Sequence, residues 1–296
     1  MKHRRGDTET RGHGDQTLPR VSASPRPRVP VITLLTDFGN ADYFAAAVKG
    51  VILTASPKVS LVDITHDIPP QDIEAAAFTL LAACSSFPSG TIHLAVVDPG
   101  VGSARRPILV KTGNQSFVGP DNGIFSYVCE TQEKLGVKPE LFHLTNEKCW
   151  RQPVSTTFHG RDVFAPVAAA LSLGVKPAQL GTSISKIVRL SPLRPTTSRD
   201  GRVMARIIHI DRFGNCVTNI TPSDLTSKMI AAGATLRLKG KSVTSFRNYF
   251  AEETGGRDKL FAIWGSAGFL EIAATNDSAA KLLKARRGDE VIVKTV

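Results

Sequence analysis

Short apolar runs alternate with amphipathic stretches through the first two thirds of the chain. The runs at residues 29–35, 59–64 and 91–97 have the length and composition of buried strands. Between them, residues 41–53 and 72–84 show helical periodicity, and the second of these stretches opens on an aspartate. Strands that alternate with helices indicate βαβ units, so we predict an α/β domain with a mostly parallel sheet.

The same pattern continues to about residue 190. Apolar runs at residues 108–111 and 116–118 predict further strands, and residues 162–173 predict a closing helix. We therefore assign residues 30–190 to the α/β domain.

The last third of the chain has a different pattern. Residues 191–201 are rich in Pro, Thr, Ser and Arg, which is typical of a linker. Beyond them, short β-rich runs are separated by Gly or Asn, at residues 202–210, 234–238, 260–264, 269–273 and 290–294. This spacing predicts a smaller all-β, barrel-like domain over residues 202–296.

Residues 1–29 contain almost no apolar side chains and are expected to form a disordered basic tail. Their acids, Asp7, Glu9 and Asp15, argue against an acid-poor transit peptide. No apolar run approaches the roughly 20 residues that cross a bilayer. We expect a soluble, cytoplasmic protein with no membrane partner.

The formal net charge of +11 raises the question of nucleic-acid binding. Residues 1–30 hold seven Lys/Arg and three Asp/Glu, which accounts for +4 of that charge. The rest is spread thinly, and no helix-turn-helix, zinc finger or aromatic-studded basic stripe accompanies it. We do not expect a nucleic-acid partner; an RNA-binding role would depend on the tail.

The segment VDPGVGSARR, residues 97–106, places a carboxylate and a guanidinium around a tight Pro-Gly turn. Asp98 follows a predicted strand, at the edge where open α/β sheets bind ligands, and Arg105 comes seven residues later. The alternative is that Asp98 only caps its own turn.

A second acid, Asp37 in the segment TDFG, also follows a predicted strand. A carboxylate there can accept the two hydrogen bonds of a ribose diol. Alternatively, it caps the helix predicted from residue 41.

The segment FHGRD, residues 158–162, opens the last helix of the first domain. The helix N-terminus disfavours protonation of His159, so we predict a neutral imidazole. A capping or packing role is the alternative. His66 and His209 are interpreted as structural, and because no HxH or HExxH spacing occurs we expect no catalytic metal. The four cysteines lack CxxC pairing, which is typical of a reduced compartment and gives no metal signature.

Two segments of the second domain carry groups that suit a nucleoside or an amino acid. In DRFGNCVTN, Asn215 can pair with a purine edge while Phe213 stacks on its face. In GSAGFLE, Ser266 lies in a glycine-flanked loop whose N–H groups can hold a carboxylate. Each segment could instead be a hairpin turn.

In this order, the segments TDFG, VDPGVGSARR, GPDNG, FHGRD, DRFGNCVTN and GSAGFLEIA resemble the S-adenosyl-L-methionine hydrolase (SAM hydroxide adenosyltransferase) family, which is related to the fluorinase and chlorinase. The resemblance covers about residues 30–296. It implies a homotrimer that binds S-adenosylmethionine between subunits, as substrate and without a further cofactor.

The resemblance also implies roles for single residues. Asp98, Arg105 and His159 match the family's water-handling triad, and Asp37 matches its ribose-binding acid. Asp211 and Ser266 match the family's residues that hold the methionine amine and carboxylate. Phe213, Asn215 and Phe250 match those of its adenine pocket.

The related halogenases resemble this pattern but carry tyrosines where Asp98 and His159 stand. An anionic Asp98 repels a halide, so hydrolysis by attack of water or hydroxide on ribose C5′ is the favoured reaction. A halogenase and a non-catalytic nucleoside- or RNA-binding protein are the alternatives. The identity of the general base stays open, because Arg105 lowers the basicity of Asp98 while burial raises it.

Overall fold

The computed structural model describes residues 29–199, 202–252 and 259–295, so the predicted tail lies, apart from Val29, outside the described residues. The chain forms two sheets with separate cores. The N-terminal sheet contains β1 (Val31–Thr36), β2 (Ser60–Thr65), β3 (Ile92–Val96), β4 (Pro107–Thr112), β5 (Gln115–Pro120), β6 (Glu140–His143) and β7 (Thr182–Ser183).

The order of this sheet is β2-β1-β3-β5-β4-β6-β7, and it is only partly parallel. The pairs β1–β2, β1–β3 and β3–β5 are parallel, whereas β4 runs antiparallel to both β5 and β6, and β6 to β7. The prediction of a mostly parallel sheet therefore holds for one half of it. The reason is the Gly113-Asn114 connection between β4 and β5, because a two-residue loop can only close an antiparallel hairpin.

Helices cover both faces of the N-terminal sheet. They are α1 (Phe44–Ala55), α2 (Ile73–Cys84), α3 (Ser126–Lys134), α4 (Ala165–Ser172) and the short α5 (Pro177–Leu180). Ile32 and Leu34 of β1 share a buried cluster with residues of α1 and α4, while Leu35 shares one with α2 and α3. Successive strand residues point to opposite faces, so both faces of β1 are apolar.

The start of the helix predicted over residues 162–173 differs from the prediction. The chain first makes a π-helical turn at Gly160–Phe164 and then continues as α4. Such wide turns occur frequently at functional sites. The start of α2 agrees with the prediction, since Asp72 is its N-cap and accepts a hydrogen bond from the Ala75 N–H at 3.0 Å.

Within the described residues, the C-terminal sheet has nine strands and is curled like half a barrel. Its members are β8 (Thr196–Thr197), β9 (Val203–Ile210), β10 (Cys216–Thr218), β11 (Thr235–Leu238), β12 (Lys241–Val243), β13 (Phe246–Arg247), β14 (Leu260–Trp264), β15 (Leu270–Ala274) and β16 (Glu290–Lys294). Two short helices, α6 (Ser227–Ala231) and α7 (Ala279–Leu283), accompany it. Within the segment predicted to be a linker, Leu193 is buried and β8 pairs with β9.

The two sheets are joined by a packed contact. Phe78 of α2 and Tyr127 of α3 share an apolar cluster with Ile208 and other residues of the C-terminal sheet. Beside it, Arg206 of β9 donates to Glu74 at 2.6 Å. Within the described ranges, no helix combines the length and apolar character that a bilayer crossing requires.

Candidate active site

Asp98 lies just beyond the end of β3 and is bound by Arg105. The Arg105 Nε donates to both carboxylate oxygens, at 2.9 and 3.0 Å, and Nη2 donates to Oδ2. The side chains of Arg105 and Asp98 are 10% and 6% exposed, so the ion pair is almost removed from solvent. The turn between them therefore does more than cap itself, because it delivers a charged pair to the carboxyl edge of the sheet.

His159 completes this group from a distant part of the sequence. Arg105 Nη2 also lies 2.7 Å from His159 Nδ1, so one guanidinium joins the acid and the imidazole. Gly102, in the left-handed region at φ +76°, allows the approach of the two loops, since a Cβ there would lie 2.3 Å from the Thr156 carbonyl oxygen. A side chain at this position would push the two loops apart.

The contact with Arg105 fixes the tautomer of His159. A guanidinium can only donate hydrogen bonds, so Nδ1 must accept and a neutral ring carries its hydrogen on Nε2. Burial, together with the charge of Arg105, holds the pKa of His159 below its ordinary value, which keeps the ring neutral near pH 7. His159 thus presents Nε2–H as a hydrogen-bond donor for a ligand.

Asp98 and His159 share a cleft of about 300 Å³ with Asp37. Asp37 follows β1 directly, as predicted, and its Oδ2 accepts a hydrogen bond from the Gln71 N–H at 2.8 Å. The lining residues are Asp37, Phe38, Gln71, Val96, Asp98, Pro99, Val101, Thr157, Phe158, His159 and Gly160. The strand ends and the π-helical turn therefore bring both predicted acids and the histidine into one concave site.

Two buried acids hold the loops that carry this group. Asp162 is fully buried and accepts hydrogen bonds from Arg161 at 2.7 and 2.9 Å, Arg151 at 3.1 Å and the Ser155 N–H at 2.9 Å. Burial alone would raise the pKa of Asp162, but these donors hold it below its ordinary value. The charge of Asp162 thus fixes the backbone on both sides of His159.

Asp121, in the GPDNG turn, has a similar role beside Arg105. It accepts hydrogen bonds from Arg106 Nε at 2.9 Å and from the Val188 N–H at 2.8 Å. Next to it, the Asn122 side chain donates to the Val97 carbonyl at 2.8 Å, which fixes the residue before Asp98. The GPDNG turn therefore holds the backbone next to Asp98 in place, although none of its residues lines the cleft.

The binding residues predicted in the second domain lie elsewhere in the same chain. Every residue that lines the cleft comes from residues 37–160. Asp211 and Asn215 instead contact each other, because Asp211 accepts from both the backbone and the side-chain amide of Asn215, at 2.8 and 2.9 Å. Phe213 is 78% exposed, Phe250 is 52% exposed and Ser266 is exposed on the β14–β15 turn. Asn215 is buried, and none of these residues of the second domain lines the cleft of the same chain.

Sequence reasoning missed several lining residues, of which Gln71 makes a direct contact with a predicted site residue. The signal that could have found it is the Pro69-Pro70-Gln71-Asp72 segment, which is a turn just before a helix. In the described part of the chain, no three His, Cys, Asp or Glu side chains are grouped as a metal site requires.

Comparison with known families agrees with this geometry. The model of the SAM hydroxide adenosyltransferase N-terminal domain matches residues 32–181, and that of the C-terminal domain matches residues 205–292. This chain belongs to the SAM hydroxide adenosyltransferase family.

Several curated members of this family are similar over most of their length. The (R)-S-adenosyl-L-methionine hydrolase of Salinispora arenicola is 36% identical over 89% of this chain and 97% of its own. The enzyme of the same name from Methanocaldococcus jannaschii is 37% identical over 88% and 94%. A fluorinase from an Actinoplanes species is 28% identical over 73% of this chain and 80% of its own, so the halogenases are more distant.

Solved structures show the same fold. The crystal structure of an uncharacterised conserved protein from Thermotoga maritima is 34% identical, covers 89% of this chain and all of its own, and superposes with a TM-score of 0.79. A conserved hypothetical protein from Thermus thermophilus is 35% identical over 90% of this chain and all of its own, with a TM-score of 0.69. The two domains of the family, matched at residues 32–181 and 205–292, therefore account for most of this chain.

Proposed function

We propose that this protein hydrolyses S-adenosyl-L-methionine to adenosine and L-methionine by in-line attack of water on ribose C5′. The observation that carries the proposal is the convergence of Asp98, Arg105 and His159 at a cleft that also contains Asp37. The names of the hydrolases that are 36–37% identical to this chain support the same substrate.

Asp98 is the general base in this mechanism. His159 Nδ1 is occupied by Arg105 and its Nε2 carries a hydrogen, so the neutral ring can donate to the water oxygen but cannot take its proton. The water donates one O–H to Asp98 while its free lone pair attacks C5′. As the C–O bond forms, the C5′–S bond breaks, its electron pair goes to sulfur, and Asp98 receives the proton.

Arg105 and Asp37 position the two reactants. Arg105 holds the Asp98 carboxylate through Nε and Nη2, and the same Nη2 orients His159, so the water is aligned before the reaction. Asp37, which lines the same cleft, accepts hydrogen bonds from the ribose hydroxyls. Methionine leaves as a neutral thioether, which needs no general acid.

The active enzyme is proposed to be a homotrimer in which a neighbouring subunit completes each site. The cleft is lined by residues 37–160, while Asp211 and the exposed Phe213 and Phe250 belong to the surface of the second domain, outside that lining. A second copy could place that surface over the cleft, with Phe213 and Phe250 against adenine and Asp211 near the methionine amine.

The reaction is tested by incubating the full-length protein with both sulfonium epimers of S-adenosylmethionine in H2¹⁸O. Both epimers are needed because the relatives' names specify the (R) form. We expect equal amounts of adenosine and methionine, with the heavy oxygen in the adenosine 5′-hydroxyl. Absence of turnover with bound ligand would favour a binding protein, and a 5′-halo-nucleoside formed in added chloride or fluoride would favour a halogenase.

The shared site is tested by mixing two inactive variants. Asp98→Ala damages the cleft and Asp211→Ala removes a proposed binding group of the second domain, so mixed trimers contain some sites with neither change. We expect turnover to reappear after subunit exchange, and light scattering to give the mass of three chains. Stable monomers with full activity, or mixtures that stay inactive although the subunits exchange, would overturn the shared site.

A further inference from the structure

The turn before α2 holds a glutamine in a backbone conformation that favours glycine. The Asp72 N–H donates to the Pro69 carbonyl at 3.0 Å, which makes Pro70 and Gln71 the two central residues of a β-turn. Gln71 has φ +66°. This is the third position of a type II turn, where Gly or Asn normally avoids the clash of a side chain with the backbone.

This turn makes a specific contact with the cleft. The Gln71 N–H donates to Asp37 Oδ2 at 2.8 Å, and within the described ranges no other hydrogen bond reaches the Asp37 carboxylate. A carboxylate held at one oxygen by a fixed donor cannot rotate freely. Its remaining lone pairs then keep one direction relative to the cleft, which Asp37 and Gln71 both line.

The turn is fixed from outside the cleft as well. Asp72 caps α2 through the Ala75 N–H and forms an ion pair with Arg287, which precedes β16 of the C-terminal sheet. Pro70 fixes φ at the position before Gln71. A strained residue persists where its surroundings determine its conformation in this way, and such residues cluster at functional sites.

We propose that Gln71 is a positioning residue, whose main-chain N–H in the left-handed conformation orients Asp37 toward the two ribose hydroxyls. The proposal rests on the ribose-binding role given to Asp37 in the proposed function. It assigns discrimination between ribose and its deoxy forms to the backbone of the turn, and the glutamine side chain is not required for it.

Two substitutions of Gln71 separate its backbone from its side chain. Both Gln71→Gly and Gln71→Val remove the side-chain amide and keep the main-chain N–H. Only glycine adopts φ +66° without strain, whereas a β-branched residue strongly resists this conformation. Asp37→Ala is the reference for complete loss of the contact. For each full-length protein, calorimetry gives Kd for adenosine and for 2′,3′-dideoxyadenosine, which lacks the diol.

The quantity compared is the ratio of the two Kd values. We expect wild type to bind adenosine at least about tenfold more tightly, the strength of one charge-assisted hydrogen bond. Gln71→Gly should keep this ratio, while Gln71→Val should lower it toward the value for Asp37→Ala. Each ratio is measured within one protein preparation, so partial misfolding of the valine variant does not change it.

Three results would overturn the proposal. They are an unchanged ratio in Gln71→Val, a ratio lost equally in Gln71→Gly and Gln71→Val, and a wild-type ratio near one. A wild-type ratio near one would show that Asp37 does not bind the ribose diol, and it would not contradict the hydrolysis reaction. Conversely, a preserved ratio in a protein that releases no adenosine and methionine contradicts the hydrolase reaction and leaves the role of Gln71 standing.

Discussion

Replacing Asp98 with asparagine tests the mechanism most directly, because it keeps the shape of the side chain and removes its charge. In the protein, Arg105 gives Asp98 its Nε–H and one Nη2–H, and the two side chains are 10% and 6% exposed. In Asp98→Asn, an NH2 group replaces one accepting oxygen and must face a guanidinium that can only donate. The Arg105 charge is then buried without a partner.

Two effects of different size follow from this change. Loss of the general base should lower kcat by about 10²- to 10⁴-fold. The unpaired buried guanidinium should lower the free energy of unfolding by about 3–5 kcal/mol. An additional Arg105→Met substitution removes the unpaired charge, so the double variant Asp98→Asn/Arg105→Met should recover much of the stability but none of the activity.

The assays are adenosine release under saturating substrate and urea unfolding of the three proteins. Recovery of stability without turnover separates the chemical role of Asp98 from its structural one. Turnover within a factor of three of wild type in Asp98→Asn, or recovery of turnover together with stability in the double variant, would refute the assignment of Asp98 as the base.

Three further predictions concern His159, Asp162 and His93. His159→Gln, whose amide can donate where Nε2–H does, should retain more turnover than His159→Asn, which keeps only the acceptor toward Arg105; equal losses in steady-state kcat would contradict a donor role. Asp162→Asn should lower the free energy of unfolding by about 2–3 kcal/mol in urea titrations, because it weakens charge-assisted hydrogen bonds, and a loss below 1 kcal/mol would contradict this. Burial lowers the pKa of His93 from 6.5 to about 4 in the folded protein. As the pH falls from 6.5 to 4, the unfolded chain therefore binds a proton at His93 that the folded protein does not, and the free energy of unfolding decreases. This decrease in the free energy of unfolding reaches about 3 kcal/mol, and His93→Phe should not show it in unfolding curves measured between pH 6.5 and pH 4. Equal pH dependence of the two proteins would exclude His93 as the cause.

The sequence predicted the longer strands and the helices α1, α2 and α4, because their apolar positions extend over enough residues to show a pattern. The strands 260–264 and 290–294 were predicted with the bounds that the structure gives them, and α2 with its aspartate cap. The direction of β4 was missed, although the Gly113-Asn114 pair that determines it is visible in the sequence. A period of two residues shows that a strand exists but carries no information about its neighbours.

The charged residues of the cleft and its histidine were predictable one by one, but the connections between them were not. Asp98, Arg105 and His159 stand out through position and residue type, yet the sequence does not show that one guanidinium joins the other two across 54 residues of chain. That contact requires the close approach of two loops at Gly102. Gln71 was missed for a related reason, since its proposed function depends on a main-chain N–H and on a positive φ, and a glutamine in the sequence indicates neither of them.

The same contacts explain why water, rather than a halide, suits this cleft. A halide carries no proton, so it has no use for a base, and at ~4 Å from a carboxylate it meets a repulsion of about 4 kcal/mol at an effective dielectric of ~20. The charge of Arg105 weakens this repulsion, but Arg105 does not line the cleft and so offers the anion no hydrogen bond there. Its Nε and Nη2 are engaged by Asp98 and His159, and Nη1 is buried away from solvent. The negative charge of Asp98 thus faces the nucleophile, an arrangement that favours a molecule able to donate a proton.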